Sequence, residues 1–395
     1  MRFVVSNAKL QMQLYRARLQ IEEGQSDVVL HELQQLQQEI QAASEKQQQE
    51  FAYLLGWCYV ERRQWDEAMR VLSPLLEQAT RAEGSEIVLE RERIAFFLLC
   101  LGKAASNLFL FVDASLHFQA CLKLLHDRRI HLPRVRIQGR YSLATAFYMR
   151  GLYQAAIREY MEALRLCQHY QNRDEVPNIH YGLTETYRAM GDYERAGEHG
   201  EIALKLYREQ ANRTLEARML NGLGYIRFLQ KDYSTAADLY TEALSICTGL
   251  SGQQALSMMI CANLATLRLA EGRPDAAWRY CERALGIIEQ IKGASPYMEG
   301  VTYRIIGEVV HAEAMQQSGE RRKQLLARAV GYFERAIECL KGTQTDFALA
   351  EVYRHLAQTL EAQGQQERAL EYWRSGYELL HASEAGGQGD TAFRE

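Results

Sequence analysis

Proline is scarce in this chain, five residues in 395, so helices are free to run long without interruption. Long apolar runs are missing as well. The longest, Ile94 to Leu101, falls well short of the roughly 18 residues of a membrane span. The start, Met1-Arg2-Phe3-Val4-Val5-Ser6, is too short for a signal-peptide core before Asn7 and Lys9 interrupt it. A cytoplasmic location with no membrane partner is the expectation. Charge of one sign is also lacking. The formal net charge is -4 without strong asymmetry along the chain, which argues against direct nucleic-acid binding.

Motifs that carry chemistry fail one by one. The eight cysteines (Cys58, Cys100, Cys121, Cys167, Cys247, Cys261, Cys281 and Cys339) contain no close pair, and most occupy apolar positions. Buried free thiols are expected, not a disulfide framework or a zinc site. The ten histidines form no His-Glu-x-x-His arrangement, and the nearest pair, His126 and His131, lies beside Pro133 and reads as a turn feature. Gly102-Lys103 lacks the earlier glycine and the Ser/Thr of a phosphate loop. No Gly-x-Ser-x-Gly elbow occurs. The chain therefore reads as non-enzymatic, with no cofactor and no metal expected.

What the sequence has is recurrence. A leucine column runs Leu55, Leu101, Leu143, Leu183, Leu223, Leu264, Ile306, Leu356, each followed by a small residue: Gly56, Gly102, Ala144, Thr184, Gly224, Ala265, Gly307, Ala357. An alanine column runs Ala68, Ala114, Ala156, Ala196, Ala236, Ala277, Ala329, Ala369, with steps of 40, 40 and 41 from 156 to 277. A fixed period in this range signals stacked structural repeats. Small residues suit the close crossing of two helices within a unit, where a larger side chain would hold the axes apart. Aromatics precede the alanine by three (Trp65, Phe111, Tyr153, Tyr193, Tyr233) or follow it by four (Phe118, Tyr160, Tyr240, Phe333, Trp373), on the same helical face. Breakers between the two helices are Arg150-Gly151, Gly191-Asp192, Lys231-Asp232, Gly272-Arg273-Pro274 and Gly364-Gln365.

These columns resemble the tetratricopeptide repeat, with its Leu-small pair and a B helix carrying alanine, an aromatic and a second alanine. That second alanine is Ala163, Ala203, Ala243, Ala284 or Ala336 here, and Leu75, Cys121 and Gly376 take its place elsewhere. The resemblance implies an all-α, right-handed α-solenoid of about eight to nine helix-turn-helix units. Residues 1–48 form a degenerate N-terminal capping repeat, 49–382 the eight-unit array, and 383–395 a disordered tail. In the capping repeat Leu14, Ala17, Ile21, Val29, Leu33, Leu36 and Ile40 recur at helical spacing around a turn at Gly24-Gln25. The seventh unit carries an insertion at about 316–326, read as a lengthened helical hairpin ahead of a protruding loop. The family's common unit is shorter, about 34 residues. The longer period resembles Rap- and PlcR-like peptide receptors and MalT-like sensor arrays.

The same resemblance implies that the first (A) helices line a concave groove. With the leucine column as position 7, positions 2, 5, 9, 12 and 13 face it. The candidates, at the first four of these positions in units three to five, are Gln138, Tyr141, Thr145, Tyr148, Asn178, Tyr181, Glu185, Arg188, Arg218, Asn221, Tyr225 and Phe228. Tyrosines offer contact area with a polar tip, side-chain amides pair with a peptide backbone, and arginines engage carboxylates. Tyr59, Phe147 and Tyr187 are assigned to packing instead. The expectation is a regulatory or signalling module that binds a protein or an extended peptide. The alternatives are a scaffold or adaptor in an assembly, or the sensor part of a transcription-regulatory system acting through a partner. Self-association is left open.

Overall fold

The computed structural model describes residues 2–22, 25–62, 64–81, 87–108, 110–126, 130–291, 295–341 and 346–387. The regular elements among them are nineteen α-helices. The chain divides into two compact units, Met1–His199 and Gly200–Glu395. The first holds α1 (Arg2–Glu22), α2 (Ser26–Gln35), α3 (Gln37–Ile40), α4 (Glu45–Glu61), α5 (Trp65–Arg81), α6 (Ile87–Asn107), α7 (Phe111–Leu124), α8 (Pro133–Met149), α9 (Tyr153–His169) and α10 (Val176–Ala189). The division falls inside α11 (Tyr193–Glu209). The second holds α12 (Arg213–Leu229), α13 (Tyr233–Thr248), α14 (Gln254–Ala270), α15 (Pro274–Gln290), α16 (Pro296–Met315), α17 (Gly319–Leu340), α18 (Asp346–Ala362) and α19 (Gln366–Gly387).

Local chemistry starts and stops these helices. Pro133, Pro177, Pro274 and Pro296 all lie in a first turn, where no N–H partner is lost and the fixed φ suits a helix. Pro74 is the exception, inside α5. Asn212 and Asp232 each accept a backbone N–H from three residues on, both at 3.2 Å, and so cap α12 and α13. The breakers between A and B helices carry left-handed residues: Gly151, Gly191, Gly272 and Gly364 at φ of 72° to 80°, and Lys231 at 63°.

Both columns lie in the core. Every residue of the first alanine column is at most 1% exposed. The leucine column is buried from Leu101 to Leu356, whereas Leu55 is half-buried and its neighbour Leu54 fills the core position. The small residues are small for a visible reason. A Cβ on Gly102 would stand 2.4 Å from the Phe118 ring, one on Gly224 2.7 Å from Tyr240, and one on Gly307 2.6 Å from Phe333. Each of those rings comes from the B helix of the same unit and is itself buried. The aromatic thus fills the volume that the glycine vacates, at interior packing density.

At the N-terminal end Leu14, Ala17, Ile21, Val29 and Leu33 are buried against Phe51, Leu54 and Cys58 of α4. Gly24 of the expected turn lies outside the described residues. In the seventh unit the extra residues lengthen α16 and α17 to 20 and 22 residues. Residues 316–318 alone join them, so most of 316–326 is helical. At the C-terminal end α19 runs to Gly387, five residues into the segment expected as a tail, and 388–395 lie outside the described residues.

Candidate ligand-binding face

Of the twelve residues expected to face a groove, eight lie in the first unit on α8 and α10, and four in the second unit on α12. All eight in the first unit are half-buried. They form two polar clusters joined by aromatic side chains. In one, Lys103 Nζ of α6 donates to Gln138 Oε1 at 3.1 Å, and Gln138 Nε2 donates to Glu175 Oε1 at 3.1 Å. Asn178 Nδ2 donates to the other oxygen of Glu175 at 3.3 Å. Three successive A-helix segments are thus tied by one carboxylate and two amides. Lys103 and Glu175 had not been singled out; Lys103 stands at position 9 of its unit, where the same register would have found it.

The second cluster lies near the other end of the same helices. Arg188 places Nε at 3.1 Å and Nη2 at 2.7 Å from Glu185 Oε2. Arg188 also lies near the Tyr148 hydroxyl, whose pKa is raised by burial and by the Glu185 charge and lowered by that arginine. Between the clusters, Thr145 Oγ1 donates to the Tyr141 carbonyl at 3.1 Å and lies 3.0 Å from the Tyr160 hydroxyl. The Tyr141 ring sits 6.0 Å from Tyr160. Burial raises the pKa of both phenols, so both stay neutral hydrogen-bonding groups.

In the second unit the four expected residues behave differently from one another. Asn221 is buried, and its Oδ1 accepts from Asn263 Nδ2 of α14 at 2.9 Å, so it orders two A helices. Tyr225 is 36% exposed and lies nearly parallel to Phe228, centroids 6.2 Å apart. Phe228 in turn meets Tyr233 at 5.7 Å. Arg218 is exposed. Tyr187, assigned to packing, is buried against His199.

The register also leads to a cluster that had not been read. Positions 5, 9 and 12 of the seventh unit are Arg304, Glu308 and His311. Glu308 pairs with Arg304 and lies 3.0 Å from His355 Nε2. His355 Nε2 is 2.8 Å from Arg354, which pairs with Glu351 at 2.7 Å. His311 Nδ1 is 2.9 Å from Thr359 Oγ1. Burial pushes Glu308 up, and burial with the nearby arginines brings His355 down to about 4. Nε2 of the neutral His355 either accepts from Arg354 or donates to Glu308, and its contact with Glu308 and that of His311 with Thr359 brace α16 against α18. Among the described residues no group of three or more His, Cys, Asp or Glu is placed to hold a metal ion. No described helix is long and apolar enough to cross a membrane.

Residues 175–249, from the edge of α10 through α13, match the family model described as Tetratricopeptide repeat. No curated protein matches the chain in sequence. Among solved structures, the apo form of RapI is 13% identical with a TM-score of 0.68, over 95% of this chain and 99% of that one. The apo form of the quorum sensor NprR from B. thuringiensis is 14% identical with a TM-score of 0.67, over 95% and 99%. NprR in complex with its cognate peptide NprX gives 14%, 0.55, 94% and 98%. Aspartyl phosphate phosphatase F from Bacillus subtilis gives 12%, 0.56, 94% and 93%. The architecture is thus an all-α array of tetratricopeptide-type helical repeats, a fold shared with RapI and NprR.

Proposed function

We propose that this protein is a non-enzymatic, cytoplasmic regulator that binds an extended peptide on the A-helix face of its first unit. The observation that carries the reading is the half-buried row on α8 and α10, where Gln138, Asn178, Arg188 and Tyr148 sit beside two carboxylates. Side-chain amides match both the N–H and the C=O of an extended peptide backbone. A ligand carboxylate would compete with Glu185 for the Arg188 guanidinium, which is an exchange of like for like and costs little desolvation. Tyr141, Tyr148 and Tyr181 supply contact area between those polar points. NprR, similar in fold, has been solved with its cognate peptide, which supports the ligand class. In the second unit Arg218, Tyr225 and Phe228 form a separate contact surface, while Asn221 acts through Asn263. The N-terminal helices α1 to α3 serve as the capping repeat.

The test is selection of peptides from a random library on the intact protein, followed by titration of the selected peptide against Arg188→Ala and Tyr148→Ala. Binding weakened about tenfold or more, with unchanged circular dichroism, is the expected result; a charge-assisted bond and a buried ring contact are each of that size. Undiminished binding in both variants would remove the site from this face. Hydrolysis of a protein-bound aspartyl phosphate by the purified chain would contradict the non-enzymatic part of the reading.

A further inference from the structure

On the side of the first unit away from the A-helix row, two adjoining cavities open between α7 and α9 above α8. Their volumes are about 350 and about 450 Å³, and both are lined by Leu122, His126 and Arg140. The floor is apolar: Leu122, Leu125, Ile130 and Leu143 are all buried. The walls are cationic. Lys123, Arg136, Arg140 and Arg158 line the two cavities against Glu159 and Glu162.

These charges are not mutually satisfied. Glu159 is committed to Arg140 at 2.5 Å and Glu162 to Arg165 at 3.3 Å. Among the described residues Lys123, Arg136 and Arg158 have no carboxylate partner. Arg136 bonds the Leu125 carbonyl oxygen at the end of α7 and, at 3.3 Å, the Tyr170 hydroxyl, and both of those partners are neutral. The helix ends nearby, the last turns of α7 and α9, carry partial negative charge and oppose an anion. Arg136 already neutralises one of them, and the excess of guanidinium and ammonium groups outweighs the rest.

We infer that this cleft is a binding site for a small anion with an apolar or aromatic body. The anionic head would take the spare Arg136 donors with Lys123 beside them, and the body would lie on Leu122 and Leu143. The volumes match a small molecule rather than a macromolecular segment. The site is independent of the peptide face, since none of its lining residues belongs to that row.

Isothermal titration of the full chain with phenyl phosphate, phenylacetate, inorganic phosphate and benzyl alcohol tests it. Saturable one-site binding of phenyl phosphate or phenylacetate is expected, and which of the two binds more tightly assigns the head group. Inorganic phosphate should bind about tenfold more weakly, having lost the apolar burial of the ring. Benzyl alcohol should not bind. Arg136→Gln should weaken the aryl anion about tenfold, the size of one charge-assisted hydrogen bond. Arg158→Gln, on the exposed rim where folding is indifferent to it, should weaken it about threefold and reduce its salt dependence. The inference is overturned by no saturable heat from either aryl anion, by equal binding of benzyl alcohol, or by wild-type affinity in Arg158→Gln together with a folded Arg136→Gln.

Discussion

His180 and His199 face each other through their Nδ1 atoms at 3.0 Å, so one imidazole donates and the other must keep its lone pair. The Tyr187 ring lies parallel to His199 at 5.5 Å, and the Arg195 guanidinium lies 4.6 Å over Tyr187. Burial and the neighbouring imidazole bring His180 down to about 4. His199 is also lowered, by burial first and by Arg195, against a smaller raising effect of Glu198. The pair holds α10 to the first half of α11 only while it is neutral.

That arrangement makes stability depend on pH with a definite sign. Unfolded imidazoles titrate near 6.5. Below that pH the unfolded chain binds protons that the folded chain refuses, so stability is intact above about 6.5 and falls as the pH drops. The loss levels off near 4, where His180 is protonated in the folded state too. Thermal melts between pH 7.5 and 4 should show a steeper decline for the wild type than for the His180→Gln, His199→Gln double variant. Parallel curves would mean that the pair does not control this window.

Lys231 holds the left-handed position that glycine takes in four of the other A–B turns, at φ 63°. A side chain with a Cβ is strained there by roughly 1 kcal/mol. Lys231→Gly should therefore raise stability by about 0.5 to 1 kcal/mol, part of the gain being offset by the greater freedom of the unfolded chain. Urea unfolding of the two proteins decides it, and a lower midpoint for the glycine variant would show that Lys231 makes a compensating contact.

How far these features were legible in the sequence depends on whether they repeat. Ala156, Ala196 and Ala236 mark helix crossings because the same steric demand recurs every unit, so one column confirms another. The groove register worked as a pointer to positions: it reached Gln138, Asn178 and Arg188, and extended to unit seven it reaches Arg304 and Glu308. It could not tell which neighbour each side chain would meet. Asn221 and Asn178 read alike, yet Asn221 is buried against Asn263, which stands one position on from the equivalent residue Ala262 of the next A helix, whereas Asn178 is half-buried and bonds Glu175. The cleft at Arg136 and Arg140 was invisible for a further reason. Its cations come from three helices, and whether each meets a carboxylate is decided by packing between turns, which no spacing encodes.

Gly224 and Gly286 are both helical glycines of the second unit, and alanine should have opposite effects at the two. A Cβ at Gly224 would meet the buried Tyr240 ring at 2.7 Å, and the ring has nowhere to go. Gly224→Ala should cost about 1 to 3 kcal/mol by overpacking. A Cβ at Gly286, inside α15, meets nothing within 4 Å. Gly286→Ala should stabilise by up to about 1 kcal/mol through helix propensity alone. Guanidinium unfolding of the pair separates the two; a stabilising Gly224→Ala would show that the column is small for some reason other than the crossing.

Cys339 is half-buried, whereas the other seven cysteines are buried. Thiolate is the reactive form, and burial pushes Cys58, Cys100, Cys121 and Cys281 up to about 12. Cys339 is raised as well, by burial and by the charges of Glu299 and Glu338, and its Sγ lies 4.0 Å from Glu299 Oε2. It should therefore be the first thiol to react, and slowly at neutral pH. A chromogenic disulfide reagent added to the native protein should modify one thiol per chain in an early phase. Raising the pH through 9 should accelerate that phase as thiolate forms, and Glu299→Gln should accelerate it at fixed pH by removing a charge that disfavours the thiolate. Cys339→Ser should abolish the early phase and leave only the reaction that follows unfolding. Persistence of a one-thiol early phase in Cys339→Ser would mean that another of the buried thiols becomes accessible in the native ensemble.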